Sequence, residues 1–142
     1  MKVADIMSGR VVTVNQADPI TTAARLMKRH NLGALPVCDD TGRLRGLVTD
    51  RDIVTRCVAM DYDPADTALR EIMTRGVLTC KSTDDVEKAA ASMSREQIRR
   101  IPVTEDGKPV GMISLADMAR REFYCMEAAA ALGSICSNVR RG

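Results

Sequence analysis

Leu35-Pro36-Val37-Cys38-Asp39-Asp40-Thr41-Gly42-Arg43-Leu44-Arg45-Gly46-Leu47-Val48-Thr49-Asp50-Arg51-Asp52 reads as a strand, an acidic glycine turn, a second strand, then a hydroxyl residue followed three positions later by Asp. The pattern returns as Ile101-Pro102-Val103-Thr104-Glu105-Asp106-Gly107-Lys108-Pro109-Val110-Gly111-Met112-Ile113-Ser114-Leu115-Ala116-Asp117. The rest of the chain is placed relative to these two stretches.

Laying Pro36 on Pro102 also brings the upstream halves into register. Ile6-Met7 falls on Ile72-Met73, Val11 and Thr13 on Val77 and Thr79, and Asp18 on Asp84. Ala23, Ala24 and Met27 fall on Ala89, Ala90 and Met93. Past the turn the register slips by one residue, because Asp39-Asp40-Thr41-Gly42 stands against the shorter Glu105-Asp106-Gly107. Tandem structural repeats tolerate a length change best when it is confined to a turn.

Each repeat predicts the same elements. The β-branched run Val11 to Val14 suits a short buried strand, and Val77-Leu78-Thr79-Cys80 repeats it. Asp18-Pro19 reads as an N-cap with proline at the first helical position, opening a stripe of Ile20, Ala23, Ala24 and Met27. In the second copy Asp84 caps, Glu87 closes a capping box, and Val86, Ala89, Ala90 and Met93 form the stripe. A hairpin follows, Leu35 to Cys38 with Leu44 to Val48, its turn supplied with a glycine that can take positive φ. Thr49 and Ser114 are N-caps for helices whose apolar faces begin with Ile53, Val54, Cys57 and Val58, or with Met118 and Ala119.

The expected unit is therefore β-α-β-β-α, and the fold class mixed α+β. Neither copy is large enough to cover its own sheet well, so the two are expected to pack face to face as one globule. The expected division is repeat 1 over 1–60, a polar, proline-containing linker over 61–67, repeat 2 over 68–122, and a helical tail over 123–142. Within that tail Glu127 to Ile135 is alanine-rich and helical, and Asn138 to Gly142 is expected to fray.

Composition removes several functions. A hydrophobic content of 45% in 142 residues is ample for a core and excludes a disordered regulator. A formal charge of +2 gives no basic field for nucleic acid, and 2% aromatics leave no stacking surface for single strands. The cysteines at 38, 57, 80, 125 and 136 show no Cys-x-x-Cys and have one His between them, so no metal site is expected. They read as small buried hydrophobes in a reducing compartment. The N-terminus lacks a signal peptide's apolar run, and no stretch approaches the roughly 20 apolar residues of a membrane span. A cytoplasmic protein without membrane contact is expected.

Thr49-x-x-Asp52 and Ser114-x-x-Asp117 carry the candidate chemistry, and two readings stand beside each other. A hydroxyl N-cap with a carboxylate three residues on is close to an ordinary capping box, which needs no ligand. Two copies, each following a Gly-hydrophobic-hydrophobic strand end whose glycine, Gly46 or Gly111, leaves room for close approach to backbone, also place a helix start and a carboxylate where a phosphate and a ribose could be met. Arg51, where the second repeat has Ala116, reads equally as a phosphate contact or as a solvated arginine paired with Asp50 or Asp52. His30 ends an amphipathic helix, where a cation suits the dipole. The methionines, Met27 and Met93 among them, are core filler first.

The proline-centred strand, the turn and Gly-hydrophobic-hydrophobic-Ser/Thr-x-x-Asp, twice over, resemble the cystathionine-β-synthase-type domain, or CBS domain, across roughly residues 1 to 122. The resemblance implies a tandem pair binding AMP, ADP, ATP, S-adenosylmethionine or NAD in clefts between the repeats, and head-to-head dimers. By position it implies Asp52 and Asp117 on ribose hydroxyls, with Thr49 and Ser114 helping at ribose or phosphate. Adenine would lie in a cleft lined by Val11, Val12, Gly33, Ala34, Leu47, Val77, Leu78 and Met112. Arg99 and Arg100 stand before the second proline strand where phosphates are met, whereas Gly33 and Ala34 stand at the first, so the two clefts are expected to differ.

An enzyme is not expected: one His and no nucleophile–base pair leave acid-base and covalent catalysis without machinery. Two functions remain. One is a stand-alone sensor of an adenosine-containing ligand, likewise a homodimer, signalling in trans to an unknown protein partner, with no catalytic cofactor. The other is a ligand-free dimerisation scaffold with degenerate clefts.

Overall fold

The computed structural model describes residues 1–121 and 125–141, the last of these with side chains over 127–137. The architecture is mixed α+β, in the order β1 (Val14–Asn15), α1 (Ile20–His30), β2 (Ala34–Cys38), β3 (Leu44–Thr49), α2 (Asp50–Ile53), α3 (Val86–Glu96), β4 (Arg100–Glu105), β5 (Lys108–Ser114), α4 (Leu115–Ala119) and α5 (Cys125–Arg141). A wider π-helical stretch, Val54–Val58, continues α2, and single 3₁₀ turns lie at Val3–Asp5 and Leu69–Glu71.

The chain divides into two compact units that cut across the sequence repeats. Unit 1 is Met1–Val11, Leu78–Asp106 and Val110–Gly142; unit 2 is Val12–Val77 and Gly107–Pro109. The head of the first repeat thus belongs with the strands of the second, and the head of the second with the strands of the first.

In unit 2, β1 runs parallel to β2 with Val14 opposite Val37, and β2 pairs antiparallel with β3, Ala34 opposite Thr49 and Pro36 opposite Leu47. A proline in this strand costs no ladder bond. The N–H and C=O of Leu47 turn away from Pro36 to meet Thr74, each at 2.9 Å, so the pair is non-hydrogen-bonded. In unit 1, β4 and β5 pair, and Cys80 makes a single parallel bridge to Val103.

The predicted stripe of α3 is buried whole, Val86, Ala89, Ala90 and Met93, whereas that of α1 is buried at Ile20, Ala23 and Met27 and its Ala24 is exposed. Each ends on a left-handed residue, Asn31 at φ 54° and Gln97 at φ 59°, and Leu32 and Ile98 return their N–H groups to Met27 and Met93. This is the Schellman closure, made here without glycine.

Four expectations are corrected. The strands predicted over Val11 to Val14 and Val77 to Cys80 shrink to β1 and one bridge, because the unit boundary falls inside both, after Val11 and after Val77. Asp18 and Asp84 are not the N-caps. Pro19 and Asp85 occupy those positions, and the two aspartates accept from the N–H groups of Asn15 and Lys81 at 3.0 and 2.9 Å. The helix starts are satisfied by backbone instead, Ile20 N–H by Thr67 O and Val86 N–H by Met1 O, which makes 61–67 a docked segment as well as a connection. Val54 and Val58, predicted on an apolar face with Ile53 and Cys57, are 58% and 61% exposed, while Cys57 is buried. The tail stays helical to Arg141 where fraying was expected, and Gly142 lies outside the described residues.

Candidate functional site

β3 and β5 end on the two hydroxyl residues, both extended, and the chain turns at once into α2 or α4. In unit 2 the Asp52 N–H donates to Thr49 Oγ1 at 3.0 Å and the Thr49 N–H donates to Asp52 Oδ2 at 3.0 Å. In unit 1 the Asp117 N–H donates to Ser114 Oγ at 3.1 Å and the Ser114 N–H to Asp117 Oδ2 at 2.9 Å. Both are complete capping boxes, each such cap contributing about 1 kcal/mol.

The boxes leave one carboxylate oxygen free for other work. Asp117 Oδ1 lies 3.2 Å from Arg120 Nη2, and Asp52 Oδ1 lies 3.8 Å from Arg56 Nε. The two carboxylates are only 20% and 13% exposed, whereas their arginines are mostly in solvent, 73% and 51% exposed. Arg56 also donates to the Ile72 carbonyl at 3.2 Å, and Arg120 to the Ala116 carbonyl at 3.2 Å. Sequence reasoning passed over Arg56, although its i,i+4 spacing from Asp52 was a usable signal.

Backbone hydrogen bonds bring the basic candidates to the second box. Leu115 N–H donates to Arg99 O at 2.9 Å, so exposed Arg99 and Arg100 stand at the start of α4. In unit 2 Asp50 N–H donates to Gly33 O at 3.0 Å, which puts Gly33 and Ala34 in the matching place with no charge to offer. Arg51 is exposed, and its guanidinium pairs with neither Asp50 nor Asp52 among the described contacts; Asp50 accepts only the Arg51 backbone N–H, at 2.8 Å.

The apolar candidates are divided between the units. Val12, Leu47 and Val77 belong to unit 2, Val11, Leu78 and Met112 to unit 1, and all six are half-buried, whereas Ala34 is buried. Their backbone is less open than the sequence suggested. Leu47 exchanges both hydrogen bonds with Thr74, and Met112 does the same with Ser8 at 2.9 and 3.2 Å. Only the side chains of Leu47 and Met112 are left to meet a base.

The glycines before these residues explain that closure. A Cβ on Gly46 would stand 2.6 Å from Thr74 O and 2.9 Å from Met73 Sδ; on Gly111 it would stand 2.6 Å from Ser8 O and 2.9 Å from Met7 Sδ. Each glycine was read as room for a ligand, and each admits a protein segment instead. The repeated Ile6-Met7 and Ile72-Met73 pairs were the sequence signal for it.

The family model described as the CBS domain matches residues 3–59 and again residues 69–123. The chain belongs to the CBS domain family. The "CBS domain-containing protein YhcV" of Bacillus subtilis is 37% identical over 133 residues, covering 94% of each chain. A crystal structure of Hypoxic Response Protein I with two coordinated zinc ions has a TM-score of 0.78 at 34% identity, covering 85% of this chain and 98% of that one. The CBS domain pair of protein MJ0100, in complex with 5′-methylthioadenosine and S-adenosyl-L-methionine, has a TM-score of 0.76 at 32% identity, covering 84% of this chain and 94% of that one. Among the described residues of this CBS chain, no group of three or more His, Cys, Asp or Glu is placed to hold a metal, and no helix is long and apolar enough to cross a membrane.

Proposed function

We propose that this CBS chain is a regulatory protein that binds an adenosine-containing ligand at its Ser/Thr-x-x-Asp boxes and passes the occupancy to a partner in trans. AMP, ADP or ATP are the preferred ligands, with S-adenosylmethionine or NAD next. The reading rests on one observation: each box holds a sheltered aspartate by one oxygen and presents the other, with an exposed arginine as that oxygen's one side-chain partner among the described residues. A ribose hydroxyl donating to that oxygen replaces a weak surface ion pair with a charge-assisted hydrogen bond. The adenosine derivatives bound by the MJ0100 pair support the ligand class.

The roles follow by unit. Asp117 takes the ribose in unit 1, with Ser114 beside it, and Arg99, Arg100 and the freed Arg120 meet phosphates. The short helices α2 and α4 offer little N-terminal charge, and the cap consumes one of their donors, so phosphate binding falls to the arginines. Asp52 and Thr49 do the same in unit 2 with Arg51 as its cation, so that box takes the less charged ligand. Val12, Leu47 and Val77, or Val11, Leu78 and Met112, supply apolar side chains for the base. Nothing in either box is arranged as a nucleophile–base pair, which supports regulation over catalysis.

Isothermal titration of ligand-stripped protein with AMP, ADP, ATP, S-adenosylmethionine and NAD tests this. Asp52→Asn and Asp117→Asn are the informative variants, because an amide oxygen still accepts the cap N–H while its NH₂ cannot accept a ribose hydroxyl. Loss of a hydrogen bond to a charged acceptor predicts about 10- to 100-fold weaker binding with the melting temperature nearly kept. Silence across the whole panel overturns the sensor. It favours the scaffold reading, for which the completeness of both boxes without a ligand already speaks.

A further inference from the structure

Counted from the aspartate of each box, Arg56 and Arg121 hold the same place, four residues on. They also make the same kind of contact. Arg56 Nη1 donates to the Ile72 carbonyl at 3.2 Å, and Arg121 Nη2 donates to the Asp5 carbonyl at 3.1 Å. Ile72 and Asp5 lie just ahead of the residues that close the strand edges, Thr74 against Leu47 in unit 2 and Ser8 against Met112 in unit 1. In both units an arginine thus ties the chain that follows a box to the segment lying against that box's own strand.

The units differ at the carboxylate. In unit 1 Asp117 Oδ1 is met by Arg120, 3.2 Å away, which otherwise bonds within its own helix, to the Ala116 carbonyl. Arg121 holds Asp5 and forms no ion pair with Asp117 among the described residues. In unit 2 the residue matching Arg120 is Thr55, whose hydroxyl donates to the Arg51 carbonyl at 2.8 Å. Arg56 is left with both tasks, its Nε 3.8 Å from Asp52 Oδ1 while Nη1 holds Ile72. A guanidinium is a rigid plane, so an acceptor at one edge fixes where the other edge points. Arg56 also lies inside the wider turn Val54–Val58, a distortion frequent at functional sites.

We propose that Arg56 is a positioning residue that reports the state of Asp52 Oδ1 to the Ile72–Thr74 segment, so that unit 2 is the box whose occupancy is passed on. Unit 1 divides the same work between Arg120 and Arg121, and its box fills without loosening its segment. The trigger rests on the nucleotide reading, in which a ribose hydroxyl takes the oxygen that orients Arg56.

The wiring is tested without ligand, by amide hydrogen exchange of the full chain read residue by residue by NMR. Asp52→Asn keeps the cap and turns an NH₂ toward Arg56, which removes the acceptor as an occupant would. The Leu47 and Thr74 N–H groups, each bonded at 2.9 Å, are expected to exchange about two- to fivefold faster, in line with the loss of a half-exposed ion pair. The Gln16 N–H, bonded to Cys38 O in the same unit, is the reference, since a general loss of stability moves all three together. Arg56→Met should speed the same pair at least as much, and Asp52→Asn should add nothing on top of it. Arg56→Lys keeps the charge without the two-edged plane and should be equally insensitive to Asp52→Asn. In unit 1 Arg121→Met should speed Ser8 and Met112, whereas Asp117→Asn and Arg120→Met should not. Three results overturn the proposal. They are Leu47 and Thr74 keeping pace with Gln16 in Asp52→Asn or Arg56→Met, effects of those two changes that add in the double variant, and Ser8 and Met112 responding to Asp117→Asn as Leu47 and Thr74 do to Asp52→Asn. Failure of the nucleotide reading looks different, since it is silence in the ligand titration with these ligand-free rates unchanged.

Discussion

Gly46→Ala tests the closest approach in unit 2. The new methyl would stand 2.6 Å from the Thr74 carbonyl oxygen and 2.9 Å from Met73 Sδ. Unforced C···O contacts lie near 3.3 Å or beyond, so segment and strand must part by about 0.7 Å. The sulfur belongs to a flexible side chain and can yield, whereas the oxygen belongs to backbone held by two hydrogen bonds to Leu47. Overpacking of this kind costs about 1–3 kcal/mol, and weakening two backbone hydrogen bonds adds roughly 1–2. The lost freedom of the unfolded chain returns about 0.4–1 kcal/mol. A net loss of about 2–4 kcal/mol lowers the melting temperature by roughly 10 °C in a chain of this size. Urea unfolding followed by circular dichroism should show a lower midpoint with unchanged slope. Gly9→Ala is the control, since nothing lies within 4 Å of its added Cβ. If Gly46→Ala melts within about 2 °C of Gly9→Ala, the sealed strand edge is wrong. Because the obstacle is a backbone oxygen, no side-chain substitution at Thr74 should rescue it.

Other consequences are simpler to check. Gly133 lies inside α5 with open space around it, so Gly133→Ala should stabilise by about 0.5–1 kcal/mol, read as a raised melting temperature. The Asp39 carboxyl is held well below the usual carboxylate range by the Thr41 hydroxyl at 2.6 Å, Arg45 at 2.7 Å and the N–H groups of Arg43 and Thr41, against an opposing effect of burial. A depressed folded value gives stability that is full above the unfolded value of about 4 and lost as pH falls below it. Asp39→Asn should therefore be less stable than the parent at pH 7, with the gap closing on acidification below about pH 4 in melts taken across pH. Burial pushes the Cys80 thiol up to about 11 and raises that of Cys38. Native protein at pH 8 should show both unreactive toward a thiol reagent, with labelling of half-buried Cys136 in preference, and mass mapping before and after unfolding reads the difference.

What the sequence disclosed followed from local chemistry. The hairpins, both helical stripes and both hydroxyl caps depend on residues within a few positions of one another, and periodicity or turn chemistry reports them directly. The failures share another cause. Asp18-Pro19 has every local mark of a helix start, and it lost the capping role because Thr67 and Pro64 carbonyls reach Ile20 and Thr21 from far along the chain. Gly46 and Gly111 looked like room for a ligand because nothing nearby in sequence needed that space; Thr74 and Ser8 do. Val54 and Val58 fit a helical stripe, and what they lacked was a partner element, which α5 supplies on unit 1 alone.

Asp52 and Asp117 each stand where two functions meet. Sequence offered the cap and the ribose clamp as rivals, since a single motif served for both. The two carboxylate oxygens differ in what they meet: Oδ2 is bound to the cap N–H in each box, and Oδ1 faces an arginine. Alanine at either position removes both functions together, so weakened ligand binding would follow from a loosened α2 or α4 as readily as from a lost ribose contact. Asparagine retains the first function and alters the second. Their difference, measured in each box, is the quantity that says whether these carboxylates hold a helix or a ligand.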